Sequence, residues 1–197
     1  MPQATPSLTK QSIQIRLATI EDAPSIVALG SHVFATTFGY SLPPSDLAAY
    51  LSSSYSLSAI EADLSNPHMS TIVASPAHNP SLVLGFSQLT RNSYEPCLEG
   101  SPKPVELQRL YVSTEAHGLG VGRLLVEGIE GIAREEGWET LWLGVWEENF
   151  KAHGFYQKMG LEKCGFHDFV MELFTDITKG NLRAEGLDYE EGALKCE

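Results

Sequence analysis

Residues 117–125 read HGLGVGRLL, three glycines at alternate positions set between a strand-like run and a helix-like run. The run before it, VELQRLYV (105–112), has the apolar and β-branched character of a strand. After it, Val121, Leu124, Leu125, Gly128, Ile129 and Ile132 recur at helical spacing, and Gly137 closes the segment. Glycines in such a turn let backbone N–H groups approach an anion closely. The helix start adds unpaired N–H groups and about half a positive charge. The segment is therefore a phosphate seat by its physics. Spacing excludes two nucleotide motifs. A Walker loop needs Lys-Ser or Lys-Thr after its last glycine, and Gly122 is followed by Arg123. A dinucleotide fingerprint needs G-x-G-x-x-G, whereas Gly118, Gly120 and Gly122 give G-x-G-x-G. On these residues alone, a turn that only permits tight strand–helix packing remains open.

The rest of the chain supplies a frame. SIQIRLA (12–18) alternates as a first strand, and Thr19 with Asp22 makes a capping box for a helix to about Phe34. Gly39, Pro43 and Pro44 interrupt, and helical spacing returns through Leu64 until Asn66-Pro67. STIVAS (70–75) and SLVLGFSQLT (81–90) flank PAHNP and predict a hairpin. Residues 91–104 hold several prolines and few apolar side chains, so an exposed loop is expected. ETLWLGVW (139–146) is apolar on both faces and reads as a central strand. A short helix follows on Ala152, Phe155, Tyr156 and Met159, and residues 164–173 read as a last strand. Several strands precede the first strand–helix–strand unit. This order predicts a mixed α/β (α+β) sheet rather than a doubly wound one. Three segments are expected: a flexible tail over 1–11, one domain over 12–174, and an acidic tail over 175–197 whose structure the sequence leaves open.

Composition narrows the partners. The formal net charge of −12 disfavours nucleic acid and anionic membranes, and suits either solubility or a cationic substrate. Cys97, Cys164 and Cys196 are scattered and form no CxxC, so neither a disulfide framework nor a zinc site is expected. With no apolar run long enough to span a bilayer and no secretory leader, a cytoplasmic protein is expected. A homodimer is left open.

Downstream of the glycine turn lies WEENFKAHGFYQKMGLE (146–162), where Asn149, Ala152 and Tyr156 follow a strand at helical spacing. Together with ELQRLYV and HGLGVG, this resembles the GNAT superfamily of acetyl-CoA-dependent N-acetyltransferases. The signature there is [RQ]-x-x-G-x-[GA] followed by N-x-x-A-x-x-x-Y-x-x-x-G. Here His117 occupies the first position. LWLGVWEEN, FYQKMG and the early HVFATTF, AAYLSSSY and LSNP are similar to PaiA-type acetyltransferases, which act on spermidine and spermine. The likeness covers about residues 13–168 and fades past Met171, where the family places a further strand.

The resemblance implies a mostly antiparallel sheet with one splayed parallel pair, and acetyl-CoA as co-substrate. Backbone groups of Leu110, Tyr111 and Val112 would hold the pantetheine arm. His117, Gly118, Leu119, Gly120, Val121, Gly122 and Arg123 would hold the pyrophosphate, and Asn149 would bond the arm or cap its helix. Tyr156 would be the general acid for the leaving thiolate, because a phenol of pKa about 10 stays protonated at neutral pH. A core tyrosine is the alternative. Glu106, expected to share a strand face with Gln108 and Leu110, would be the base that takes the amine's proton. His32, His153 and His167 are rival bases. Phe38, Tyr40, Asp46 and Tyr50, with Thr37, would frame the acceptor, a small-molecule amine of which a polyamine is the leading class. Aromatic faces and acids attract ammonium groups. No cysteine lies in either motif, so direct attack in a ternary complex is expected. A different amine acceptor and a non-catalytic acyl-CoA-binding module are the alternatives.

Overall fold

The computed structural model describes residues 13–171 and 175–185, with side chains through Gly165. The tail expected over 1–11, residues 186–197 with Cys196, and the His167 side chain lie outside the described residues. The elements are β1 (Ile13–Leu17), α1 (Ala23–Phe38), α2 (Pro44–Ser54), α3 (Leu57–Ser65), β2 (Met69–Pro76), β3 (Gly85–Thr90), β4 (Pro104–Val112), α4 (Val121–Glu135), β5 (Thr140–Trp146), α5 (Phe150–Lys158), β6 (Glu162–Met171) and β7 (Thr175–Glu185). The strands form one mixed sheet in the order β1-β2-β3-β4-β5-β7-β6.

Local chemistry sets the first helix. The Thr19 N–H donates to Asp22 Oδ2 at 2.8 Å, and Arg16 grips both Asp22 oxygens at 2.7 Å. The Arg16 hydrogen bonds hold the Asp22 carboxyl below the usual carboxylate range, against the opposing effect of burial. Helix α1 then runs four residues past the end expected near Phe34. Phe34 and Phe38 still stack one turn apart, with ring centroids 4.7 Å apart, and no breaker comes before Gly39.

Each face of the sheet has its own core. On one, α1 to α3 bury Ala23, Ile26, Phe34, Tyr55 and Ile60 against Val73 and Phe86. Gly30 permits this: a Cβ there would come within 2.4 Å of Tyr55 Cε1. On the other, Val121, Leu125, Ile129 and Ala133 of α4 pack on Ile72, Leu89, Val105, Leu107, Leu141 and Leu143. Leu125 is fully buried there, and truncation to alanine would cost about 2–5 kcal/mol.

Two expectations change. Residues 91–104 are not simply an exposed loop. Leu98 is fully buried, Thr140 Oγ1 donates to Pro102 O at 2.8 Å, and Arg91 pairs with Glu136. One apolar side chain and a few hydrogen bonds suffice to dock a segment otherwise poor in apolar residues. The sheet also continues past residue 174. Thr175–Glu185 is a strand inserted between β5 and β6 and antiparallel to both. Its polar composition hides it, because the pairing demand comes from its two neighbours.

Strands β4 and β5 are parallel but pair only at Pro104↔Thr140, Val105↔Leu141 and Glu106↔Trp142. Beyond Glu106 they part, while the other edge of β5 stays paired with β7 along its whole length, from Thr140 to Trp146. This leaves a gap at the carboxyl ends of the two parallel strands, where open α/β sheets bind ligands. A bulge in the β3–β4 ladder deepens the change. Gln88 faces Arg109 but Leu89 faces Leu107, so Gln108 is the extra residue. The alternation of β4 therefore flips. Val105 and Leu107 share the α4 face with Leu110 and Val112, while Tyr111 packs on the opposite face. Glu106 thus lies on the face of Arg109 and Tyr111, not on that of Leu110 as strict alternation predicted.

Candidate active site

The glycine turn arrives beside this gap. Gly118 and Gly120 have φ of 79° and 80°, a region that L-residues enter only at a cost of about 1–2 kcal/mol. Gly120 is the N-cap of α4 and brings no capping side chain. The helix ladder begins with Leu124 N–H to Gly120 O at 3.1 Å. The N–H groups of Gly120, Val121, Gly122 and Arg123 precede that first ladder bond. A Cβ on Gly122 would lie 3.4 Å from Phe155 Cζ, so α5 closes over this turn.

The wall of the gap is backbone. Ser113 N–H donates to Leu84 O at 2.8 Å. Counted back along that register, Tyr111 and Arg109 spend their backbone groups on Phe86 and Gln88. Those of Leu110 and Val112 turn toward the gap. The expected trio of Leu110, Tyr111 and Val112 therefore divides: two backbones line the gap, and Tyr111 contributes its ring to the other face.

Helix α5 forms the far side. Asn149 caps it, its Oδ1 accepting from Ala152 N–H at 3.2 Å. The Lys151 ammonium stands 3.5 Å from His117 Nδ1, so two basic groups sit at the rim of the glycine turn. Arg123 extends from α4 and pairs loosely with Glu127 at 3.8 Å, about half-exposed. Tyr156 is buried in the α4 core, its ring edge-on to that of Phe155 at 5.2 Å. Burial, and secondarily Tyr111, push its phenol above the ordinary value. Tyr156 is thus a core residue whose phenol is held in its protonated form.

The opposite face of the sheet carries aromatic rings. Trp146, at the end of β5, lies 5.6 Å from Phe38 and 5.7 Å from Tyr40. Tyr50 stacks on Phe34 at 4.4 Å, and Tyr55 meets both Tyr50 and Tyr111 edge-on at 6.1 Å. Burial pushes the Tyr111 phenol up to about 12 and raises those of Tyr50 and Tyr55. Arg109 lies 5.3 Å from the Tyr55 ring centroid, its charge offset by Asp63 at 2.6 Å. Asp46 accepts from Ser45 through Oδ1, while its Oδ2 is hidden without a partner. Glu106 is half-buried at the last β4–β5 pair, where the gap begins. Among the rival bases, His32 is exposed on α1 and His153 contacts Trp146 O at 3.2 Å.

The sequence model of the Acetyltransferase (GNAT) family matches residues 39–161, more than half of the chain. The chain belongs to that family. It is an N-acetyltransferase with acetyl-CoA as co-substrate. It is 28% identical over 159 residues to the uncharacterized N-acetyltransferase of the pepI 3' region in Lactobacillus delbrueckii subsp. lactis, covering 81% of this chain and 90% of that one. Among solved structures, the fold is shared with the PaiA N-acetyltransferase of Thermoplasma acidophilum in complex with coenzyme A (TM-score 0.67, 22% identity, 88% of this chain and 99% of that one). It is also shared with yncA, a putative acetyltransferase of Salmonella typhimurium with acetyl-CoA (TM-score 0.63, 17% identity, 93% and 99%).

A GNAT enzyme needs a seat for the pyrophosphate and a track for the pantetheine arm. The N–H groups at the start of α4 and the β4 edge at Leu110 and Val112 suit both. Sequence reasoning missed Trp146, Arg109, Tyr55 and Lys151. Trp146 was legible only as an apolar strand residue, and the Arg109–Asp63 pair spans 46 positions with no local signal. Lys151 lies inside the Asn149–Tyr156 motif, but only the packing of α5 on the turn brings it to His117.

Proposed function

We propose that this enzyme acetylates a cationic primary amine, with a polyamine as the leading acceptor, by direct attack on acetyl-CoA lying in the β4–β5 gap. The observation that carries the reading is the two-sided gap: a backbone-lined track and glycine turn on one side, and an aromatic surface of Phe38, Tyr40 and Trp146 on the other. When bound, acetyl-CoA supplies an activated thioester. The start of α4, with His117, Lys151 and Arg123 around it, neutralises the pyrophosphate. Backbone groups of Leu110 and Val112 align the arm, and a β4 N–H polarises the thioester carbonyl. Asn149 orders the start of α5.

An ammonium cannot attack, so the acceptor must lose a proton. Glu106, at the apex of the gap on the acceptor face, takes it directly or through water. Tyr156 donates its phenolic proton to the departing thiolate. Phe38, Tyr40 and Trp146 offer ring faces to a cationic chain, and Asp46 offers a carboxylate. The partly buried Arg109 does not oppose this, because Asp63 balances its charge. The likeness to PaiA-type enzymes points the same way.

The test is a panel of amines with release of free thiol as the readout. Turnover of spermidine at least tenfold above that of amino acids and neutral-tailed monoamines is expected. Equal rates would reject the polyamine assignment while leaving N-acetyl transfer in place. Binding of acetyl-CoA without turnover of any amine would favour a non-catalytic acyl-CoA-binding module.

A further inference from the structure

Two cysteines far apart in sequence meet at the edge of the sheet, at strand β6. Cys97 sits on the 3-10 turn Pro96–Leu98 of the docked segment, and Cys164 near the start of β6. Their sulfurs are 3.7 Å apart, and neither is joined in a disulfide. Both are partly exposed, so a small oxidant can reach them. A second observation concerns the residue after Cys164. Gly165 faces Cys97 so closely that a Cβ there would lie 2.4 Å from Cys97 Cβ. Any side chain at this position would push the two segments apart. The approach of the thiols is thus built into the backbone, with Leu98 buried beside Cys97 as its anchor.

We propose that Cys97 and Cys164 are a reversible dithiol–disulfide pair that staples the 91–104 segment to β6. A disulfide needs the sulfurs at about 2.05 Å, a closure of less than 2 Å that side-chain rotation and a small shift of the docked segment can supply. The oxidant is a low-molecular-weight disulfide such as glutathione disulfide. One cysteine thiolate attacks it, forming a mixed disulfide and releasing one glutathione thiolate. The second cysteine thiolate attacks the protein sulfur of that mixed disulfide, forming the Cys97–Cys164 bond and releasing the second glutathione. The protein loses two electrons and two protons, and one glutathione disulfide becomes two thiols. The bond closes a loop from 97 to 164 that contains the glycine turn and α5, so it restrains the unfolded chain strongly.

The experiment uses the full chain carrying Cys196→Ser, treated with glutathione disulfide while folded. The expected product is 2 Da lighter, is restored by dithiothreitol, and gives on non-reducing digestion a linked pair of peptides containing Cys97 and Cys164. Its melting temperature rises on oxidation, and Cys97→Ser or Cys164→Ser abolishes both changes. Gly165→Ala, if folded by circular dichroism, should slow formation of the bond at least tenfold. Stable glutathione adducts on Cys97 and Cys164 without the linked peptide would overturn the proposal. So would formation of the bond only after denaturation.

Discussion

Helices α4 and α5 begin on either side of the same gap, and their first turns are built in opposite ways. Helix α5 closes its own end: Asn149 accepts from Ala152 N–H, as Ser56 does from Ala59 N–H at the start of α3. Helix α4 begins at Gly120, in a left-handed conformation and with no capping side chain. Capping usually contributes about 1 kcal/mol, so an uncapped helix start gives up stability that a ligand can restore. The comparison separates two kinds of contribution. On the proposed function, α4 supplies bare backbone, and α5 supplies side chains, Tyr156 and Lys151.

The sharpest way to break this division is Tyr156→Phe. Loss of a general acid lowers kcat by about 100-fold or more, and coenzyme A affinity should stay within about twofold of wild type. Unchanged turnover would return Tyr156 to a purely packing role. Gly120→Val attacks the other side. The strained φ and the added bulk should weaken coenzyme A binding by about tenfold or more, measured by calorimetry. Gly122→Ala should change it little, because its Cβ would only reach ordinary contact with Phe155.

The acceptor face should respond separately. Trp146→Ala removes the ring shared by Phe38 and Tyr40 and should raise KM for a polyamine by about threefold to tenfold, with coenzyme A affinity unaffected. An equal loss toward both would mean that Trp146 shapes the gap as a whole. Asn149→Ala should cost about 1 kcal/mol of stability in urea unfolding, and Asn149→Ser should recover most of it. A loss of coenzyme A affinity retained in Asn149→Ser would show that the amide also touches the cofactor.

A separate stability effect concerns the capping box of the 3-10 turn Ile20–Asp22, which leads into α1. The Asp22 carboxyl is held below its unfolded value by Arg16. The folded state therefore binds fewer protons than the unfolded one across that interval. Its stability contribution is complete above the unfolded pKa of about 3.9 and is lost as pH falls through the lower folded value. Asp22→Asn should thus destabilise at neutral pH by about 1–2 kcal/mol and flatten the acid limb of the stability curve below the unfolded pKa of about 3.9.

What the sequence revealed follows the same division. The glycine turn and uncapped helix start at residues 118–123 were legible because glycines and helical spacing are local signals. Asn149 and Tyr156 were legible because one helix carries both. The bulge at Gln108 was not, since it exists only relative to β3, and it moves Glu106 to the other face. Strand β7 escaped because TDITKGNLRAE is polar, and only β5 and β6 require a partner there. The acceptor face escaped in part for a related reason. Trp146, Tyr40 and Phe38 come from separate elements, and only packing unites them.

On the proposed function, backbone at β4 and α4 seats the co-substrate. A crystal structure with coenzyme A tests it most directly. Pyrophosphate oxygens are expected within hydrogen-bond reach of the N–H groups of Gly120 to Arg123, with the pantetheine arm paired with Leu110 and Val112. Coenzyme A bound outside the β4–β5 gap, or held there by side chains with those N–H groups left to water, would contradict it.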